Sequence, residues 1–136
     1  MSGGADADIA LLNGMLEQWC RGEFWDAAPY AHDVVFIRSG PDGGEYHGID
    51  GLGAAWRDFL AAWEGFRIQT ERVVAGDAGV YVLLIRLQAR GKGSGVAIDA
   101  EVANVVTMRD GRIVRLEMHW DRDAALTAAG VGRDAG

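Results

Sequence analysis

A chain of 136 residues, 49% of them hydrophobic, fits one soluble domain that can bury roughly two thirds of its unfolded surface. The balance of 13 basic and 20 acidic residues gives a net charge of −7, which argues against gripping a nucleic-acid backbone, because that needs a basic footprint. The single cysteine, Cys20, excludes an internal disulfide and a multi-cysteine zinc site, no apolar run is long enough to cross a bilayer, and neither end reads as a signal peptide, so a cytoplasmic protein is expected.

Residues 1–6 read as a loose end. From about Asp8 to Arg21, Ile9, Leu12, Leu16 and Trp19 recur at steps of three or four, which predicts a helix with one apolar stripe. Gly22 is its expected stop. A short second helix is expected from about Glu23 to Tyr30, presenting Phe24, Trp25 and Tyr30. Asp33 to Ser39 reads as a strand in which Val34, Phe36 and Arg38 share one face. Gly40-Pro41-Asp42-Gly43-Gly44 is a turn, and Glu45 to Gly48 returns as a short strand. Asp50 is placed to cap a helix from about Gly51 to Trp63, with Leu52, Trp56, Phe59 and Trp63 at helical spacing.

Strands follow. Phe66 to Ala75 alternates, with Arg67, Gln69 and Glu71 opposite Phe66, Ile68 and Thr70. Val80 to Arg90 is more apolar and is expected to be central, and Gly91 to Gly95 is a loop. Ala97 to Asp121 then reads as two strands joined at Arg109-Asp110-Gly111, an Asp-Gly hairpin signal. Alternation gives this hairpin one face with Val102, Asn104, Val106, Met108, Val114, Leu116, Met118 and Trp120. The other carries Glu101, Ala103, Val105, Thr107, Arg115, Glu117 and His119. Asp121 caps a last short helix ending near Gly130. Helices first and antiparallel strands after argue an α+β single domain over 1–136, with an ordered core of about 7–130 and the helices on one face of a curved sheet.

Several stretches carry a resemblance. Trp19-Cys20-Arg21-Gly22 through Ala31-His32-Asp33, Tyr46-His47-Gly48-Ile49-Asp50-Gly51, Gly91 to Val96, Arg109 to Val114, and Trp120-Asp121-Arg122 with Ala124-Ala125-Leu126 and Gly130 stand in this order. Together they resemble the SnoaL-like polyketide cyclase family of the nuclear transport factor 2-like superfamily. The resemblance implies a cystatin-like roll: a cone-shaped, strongly curved, mainly antiparallel sheet wrapped around N-terminal helices, with an apolar cavity between them. It further implies homodimers through the outer sheet face, no cofactor, and one acid or base set in the cavity, where desolvation raises a carboxyl pKa. Such folds host isomerases, cyclases, dehydratases, epoxide hydrolases and non-catalytic binders.

Anchored on Gly111, the family's acid–base positions fall at Asn104, at Met118, near Arg38 and near Gly14 or Met15. None is a general base at neutral pH. Asn104 can donate to a carbonyl or a developing oxyanion; the plainer alternative is a buried amide satisfied by a neighbour. Arg38 can hold a carboxylate or enolate, or else sit at a rim or pair with Glu45 or Asp42. His47 has a suitable unperturbed pKa, although a lone histidine near a turn is usually on the surface. Met15, Trp19, Tyr30, Trp56, Phe59, Trp63, Met118 and Trp120 are expected to line a pocket for a small hydrophobic molecule, or simply to be core. Glu117 and His119 would be a credible base and partner only if the polar face lined the cavity. No spacing suggests a metal.

Two readings result. One is a cofactor-free isomerase, cyclase or dehydratase acting on a small ketone, polyketide or terpenoid, its proton carried by His47, Tyr30, Tyr46 or Asp99. The other is a non-catalytic hydrophobic-ligand-binding module, or epoxide hydrolase-like activity on the same fold. A subunit whose sheet face serves assembly is a third possibility. A cavity without an acid or base within reach would argue against the first reading, and one filled by Trp56, Met118 and Trp120 against the first two.

Overall fold

The computed structural model describes residues 3–38 and 43–131, with side chains from residue 6 onward. The turn expected at residues 40–42 lies outside these. The elements are α1 (Gly3–Cys20), β1 (Tyr30–Arg38), β2 (Gly44–His47), α2 (Gly48–Ala62), β3 (Trp63–Ala75), β4 (Val80–Gly91), β5 (Ala97–Arg109), β6 (Arg112–His119) and α3 (Arg122–Ala128). The strands form one open, six-stranded sheet in the order β2-β1-β6-β5-β4-β3. β1 and β6 run parallel, and every other neighbouring pair is antiparallel. Among the described residues no helix is long and apolar enough to cross a membrane.

Helix α1 begins at Gly3, within what composition suggested was a loose end. Of its predicted stripe, Leu12, Leu16 and Trp19 are buried at 0–3% exposure, joined by Met15 at 3%, while Ile9 is partly buried against the core. Gly22 stops it at φ 87°, donating to Trp19 O while Glu23 N–H reaches back to Gln18 O. This pair of bonds closes the exposed carbonyls of the last turn.

The expected helix from Glu23 to Tyr30 is absent. Asp26 turns its carboxylate onto the backbone N–H of Ala28 at 3.0 Å, a local bond that competes with helix. Pro29 then biases Ala28 away from helical dihedrals, so Tyr30 opens β1 instead. Helix α2 also starts earlier than expected. His47 is the residue before it, in extended conformation and without a side-chain cap. Asp50 lies inside the first turn, where its charge favours the positive end of the helix dipole.

The β5–β6 hairpin turns on Asp110 at φ 55° and Gly111 at φ 78°, the left-handed pair whose twist suits a two-residue connection. A bulge modifies its expected faces. Thr107 pairs with Arg115 but Met108 pairs with Ile113, leaving Val114 as the extra residue. Ile113 therefore turns inward at 0% exposure in the place expected for Val114, because a one-residue slip exchanges faces. Two further bulges interrupt β3, between Glu64 and Arg67 and between Thr70 and Arg72. Bulges bend strands and increase twist, which suits a sheet curving round α1 and α2.

Two apolar layers result. The inner one joins α1 and α2 to Val34, Leu83, Ile85, Val102, Val106, Ile113 and Leu116. The outer one joins Val82, Leu84, Ala103 and Val105 to Ala125 and Ala129. Helices on one face alone were expected, but α3 packs on the other, across β4, β5 and β6. Asp121 caps it as predicted, accepting from Asp123 N at 2.9 Å and Ala124 N at 3.3 Å. Arg122 pins it, with bonds to Glu71 at 2.6 Å and 3.2 Å and to Ile85 O at 3.1 Å, and a contact with Glu101 at 3.0 Å.

Candidate functional site

The inner layer does not close completely. Between α1, α2 and the concave side of the sheet lies a cavity of about 60 Å³, several times the ~10–15 Å³ that one water needs. Its walls are apolar: α1, α2, β1 and β3 contribute the rings of Trp19, Trp56, Phe59, Phe36 and Phe66, while β4, β5 and β6 contribute aliphatic side chains such as Ile85, Val102 and Leu116. Trp19 and Trp56 meet edge to face at 5.4 Å, and Phe66 stands edge-on to Phe59 at 5.0 Å.

Two polar side chains enter this lining, Asn104 and Arg38. Their placement follows from strand register. Arg38 pairs with Met118, Met118 with Asn104, and Asn104 with Leu83, so the four form one row across β1, β6, β5 and β4. Cross-strand partners project to the same face, which sends Arg38, Met118 and Asn104 into the cavity. Asn104 is the buried polar residue of the described core, at 7% exposure. Its amide makes no hydrogen bond to any described residue, so its polar atoms face the cavity.

The other sequence-predicted residues divide. Trp19, Trp56, Phe59 and Met118 line the cavity together with Asn104 and Arg38. Met15 and Tyr30 belong to the packed core, where the phenol donates to Met15 Sδ at 3.5 Å. Burial pushes the Tyr30 pKa far above its ordinary value, the charge of Asp26 adds to this, and a hydrogen bond from Trp56 opposes it. Trp63 leads β3 and packs on Phe59 with ring centroids 6.1 Å apart, outside the lining. Trp120 lies beyond the end of β6 and is 49% exposed, so it leaves the expected pocket. The His47 side chain is 69% exposed and 3.5 Å from Glu45, away from the cavity. Alternation on β1 could have named Phe36, which shares the face of Arg38. Ala55, Phe66 and Ile68 also line the cavity and were missed because small or evenly spaced apolar residues look like ordinary core.

The expected proton carriers thus stand elsewhere. Tyr46 stacks on Phe36 at 5.7 Å without entering the lining. Asp99 is on the outer face, bonded to Arg86 at 2.7 Å and 2.8 Å, and these bonds, with one from Gln88, hold its pKa below the usual carboxylate range. Glu117 and His119 also occupy the outer face, where Glu117 pairs with Arg115 at 2.8 Å. Glu71 is lowered chiefly by its bond with Arg122. Among the described residues lining the cavity there is no carboxylate, imidazole or thiol, and no group of three or more described His, Cys, Asp or Glu is placed to hold a metal ion. The arrangement can clasp a flat apolar body, donate a hydrogen bond from Asn104 and offer a cation from Arg38.

The sequence profile of the SnoaL-like domain matches residues 15–116. An uncharacterised protein of Mycobacterium tuberculosis is 29% identical over 124 residues, spanning 88% of this chain and 93% of that one. Among solved structures, a nuclear transport factor 2-like protein of unknown function from Burkholderia pseudomallei superposes with a TM-score of 0.73 at 20% identity, covering 90% of this chain and 97% of its own. A protein from Jannaschia sp. CCS1 assigned as a SnoaL-like polyketide cyclase gives 0.73 at 17% identity, over 91% and 92%. These structural likenesses establish the fold.

Proposed function

The chain belongs to the SnoaL-like domain family, and from that premise we propose that its cavity binds a small, flat, hydrophobic molecule by an oxygen hydrogen-bonded to Asn104. The observation that carries this reading is the Asn104 amide left open to an apolar cavity with five aromatic rings in its wall. A hydrogen bond from this amide to a ligand oxygen contributes about 0.5–1.5 kcal/mol net. The family's association with polyketide cyclases supports a conjugated, oxygen-bearing ligand.

Binding without turnover is the reading the lining supports best, since its described residues include no carboxylate, imidazole or thiol. The enzymatic reading retains one observation in its favour: an amide and a guanidinium on one row could stabilise a developing enolate, with the proton passing directly to solvent. Asn104→Ala is expected to weaken binding of a cyclic ketone by roughly tenfold, the scale of one buried hydrogen bond. Titration followed by tryptophan fluorescence reads this, and unchanged affinity in a folded variant would remove Asn104 from the site.

The same reading includes a cytoplasmic homodimer through the outer sheet. Support comes from half-buried Val35 and Ile37 on β1, beside the part of the sheet that α3 covers. Light scattering is expected to give twice the chain mass of 14.6 kDa; a monomer at all concentrations would count against it.

A further inference from the structure

We propose that the molecule this cavity takes is an acid: a planar aromatic or conjugated body whose carboxylate or enolate pairs with Arg38 while a second oxygen accepts from Asn104. The inference rests on reading the cavity as a ligand pocket and adds the charge and shape of the ligand.

Arg38 is the charged residue of the described lining, and it is a cation in a chain whose net charge is −7. The surplus of acid has therefore been kept out of this one concavity. Four other arginines pair with carboxylates, Arg21 with Glu23, Arg86 with Asp99, Arg115 with Glu117 and Arg122 with Glu71; what sets Arg38 apart from the remaining arginines is its place in the cavity lining. Arg38 makes no ion pair with any described residue. The expected alternative of a bridge to Glu45 fails on register, and Asp42 lies outside the described residues. Glu45 pairs with Ile37, one position from Arg38, which sends it to the opposite face, where His47 is its neighbour at 3.5 Å. Glu117, the other nearby carboxylate, also pairs with Ile37 and faces outward. A guanidinium in this lining with no carboxylate partner among the described residues leaves room for an anionic ligand, and its planar fork matches a carboxylate or the oxygens of an enolate.

Register also sets the ligand's length. Arg38 and Asn104 are separated by one strand, β6, so their backbones stand about 9–10 Å apart at ordinary strand spacing. Both side chains lean into the same space over Met118, with Trp56 and Phe59 on the helix side. A body of one or two fused rings with oxygens at both ends spans that gap, and because it is larger than the void of about 60 Å³ it extends through the open side of the cavity.

The test compares 6-hydroxy-2-naphthoate with its neutral methyl ester by isothermal titration at neutral pH. The acid is expected to bind about tenfold to a hundredfold more tightly, the range of a charge-assisted pair in a partly desolvated site. Arg38→Met should erase that preference, read as the ratio of acid to ester affinity in the same variant. Arg38→Lys should keep part of the preference, because it retains charge without the fork. If acid and ester bind equally, or if Arg38→Met leaves their ratio unchanged, the acid assignment is overturned while the pocket reading stands. If neither compound binds, nor any neutral ketone of similar size, the pocket reading itself falls and the acid assignment with it. Unchanged circular dichroism in both variants secures the comparison against unfolding.

Discussion

Ala55→Phe is expected to abolish ligand binding while the protein stays folded. Ala55 sits inside α2 at 7% exposure and forms part of the cavity wall. A phenyl group there projects into the cavity of about 60 Å³ between Trp56, Phe59 and the sheet. Helix propensity changes by only about 0.5 kcal/mol, but the phenyl group is larger than the void it enters, and such overpacking costs about 1–3 kcal/mol, a loss that a domain of ordinary stability survives. Ligand affinity should fall at least about a hundredfold, because the occupied volume and the route to Asn104 are lost together. Calorimetric titration with the naphthoate, alongside thermal unfolding, separates the two effects. Full affinity in a stable Ala55→Phe protein would mean that ligands are held somewhere other than this cavity.

The largest loss of stability should come from Leu83→Ala. Leu83 lies on β4 at 0% exposure, paired with Asn104 and packed in the inner layer. Truncation removes buried methyl groups and leaves a void walled by a sheet that cannot easily collapse, a combination worth about 3–5 kcal/mol. That is a large share of the ~5–15 kcal/mol available to a domain of ordinary stability. Urea denaturation should show a lower midpoint with an unchanged slope. A loss below about 1 kcal/mol would show that the wall behind Asn104 is soft, and would weaken the argument that the row from Arg38 to Leu83 holds the polar groups in place.

Much of the scaffold was legible in local pattern. The stripe of Leu12, Leu16 and Trp19 named the buried face of α1, since spacing at three and four residues acts within a single helix. Asp110-Gly111 named the hairpin turn because left-handed dihedrals depend on the residues that adopt them. Asp121 announced its cap by the same kind of local bond. The aligned motifs added that the face of Asn104 and Met118 looks inward, and the row across β6 agrees.

Other features depended on what lies across the chain. Alternation gave Val114 an inward place, but a bulge opposite Thr107 and Met108 handed that place to Ile113. Trp120 kept the phase of its strand, but pairing stops at His119 and the ring turns to solvent. Apolar residues on the outer face of β4 and β5 gave no sign that α3 would cover them. Asp26 and Pro29 broke a helix that the aromatic spacing around them favoured.

Residue order therefore determined the α+β class, the helix stripe, the hairpin and the two polar candidates, because helix period, strand alternation and turn dihedrals are set over a few neighbouring residues. Assembly decided which faces are covered, where a bulge reverses a strand, and that Arg38 and Asn104 face one apolar cavity across Met118, with no carboxylate among its described lining residues. Those outcomes turn on cross-strand register and packing between residues far apart in the chain, and no periodicity within one strand encodes its partner.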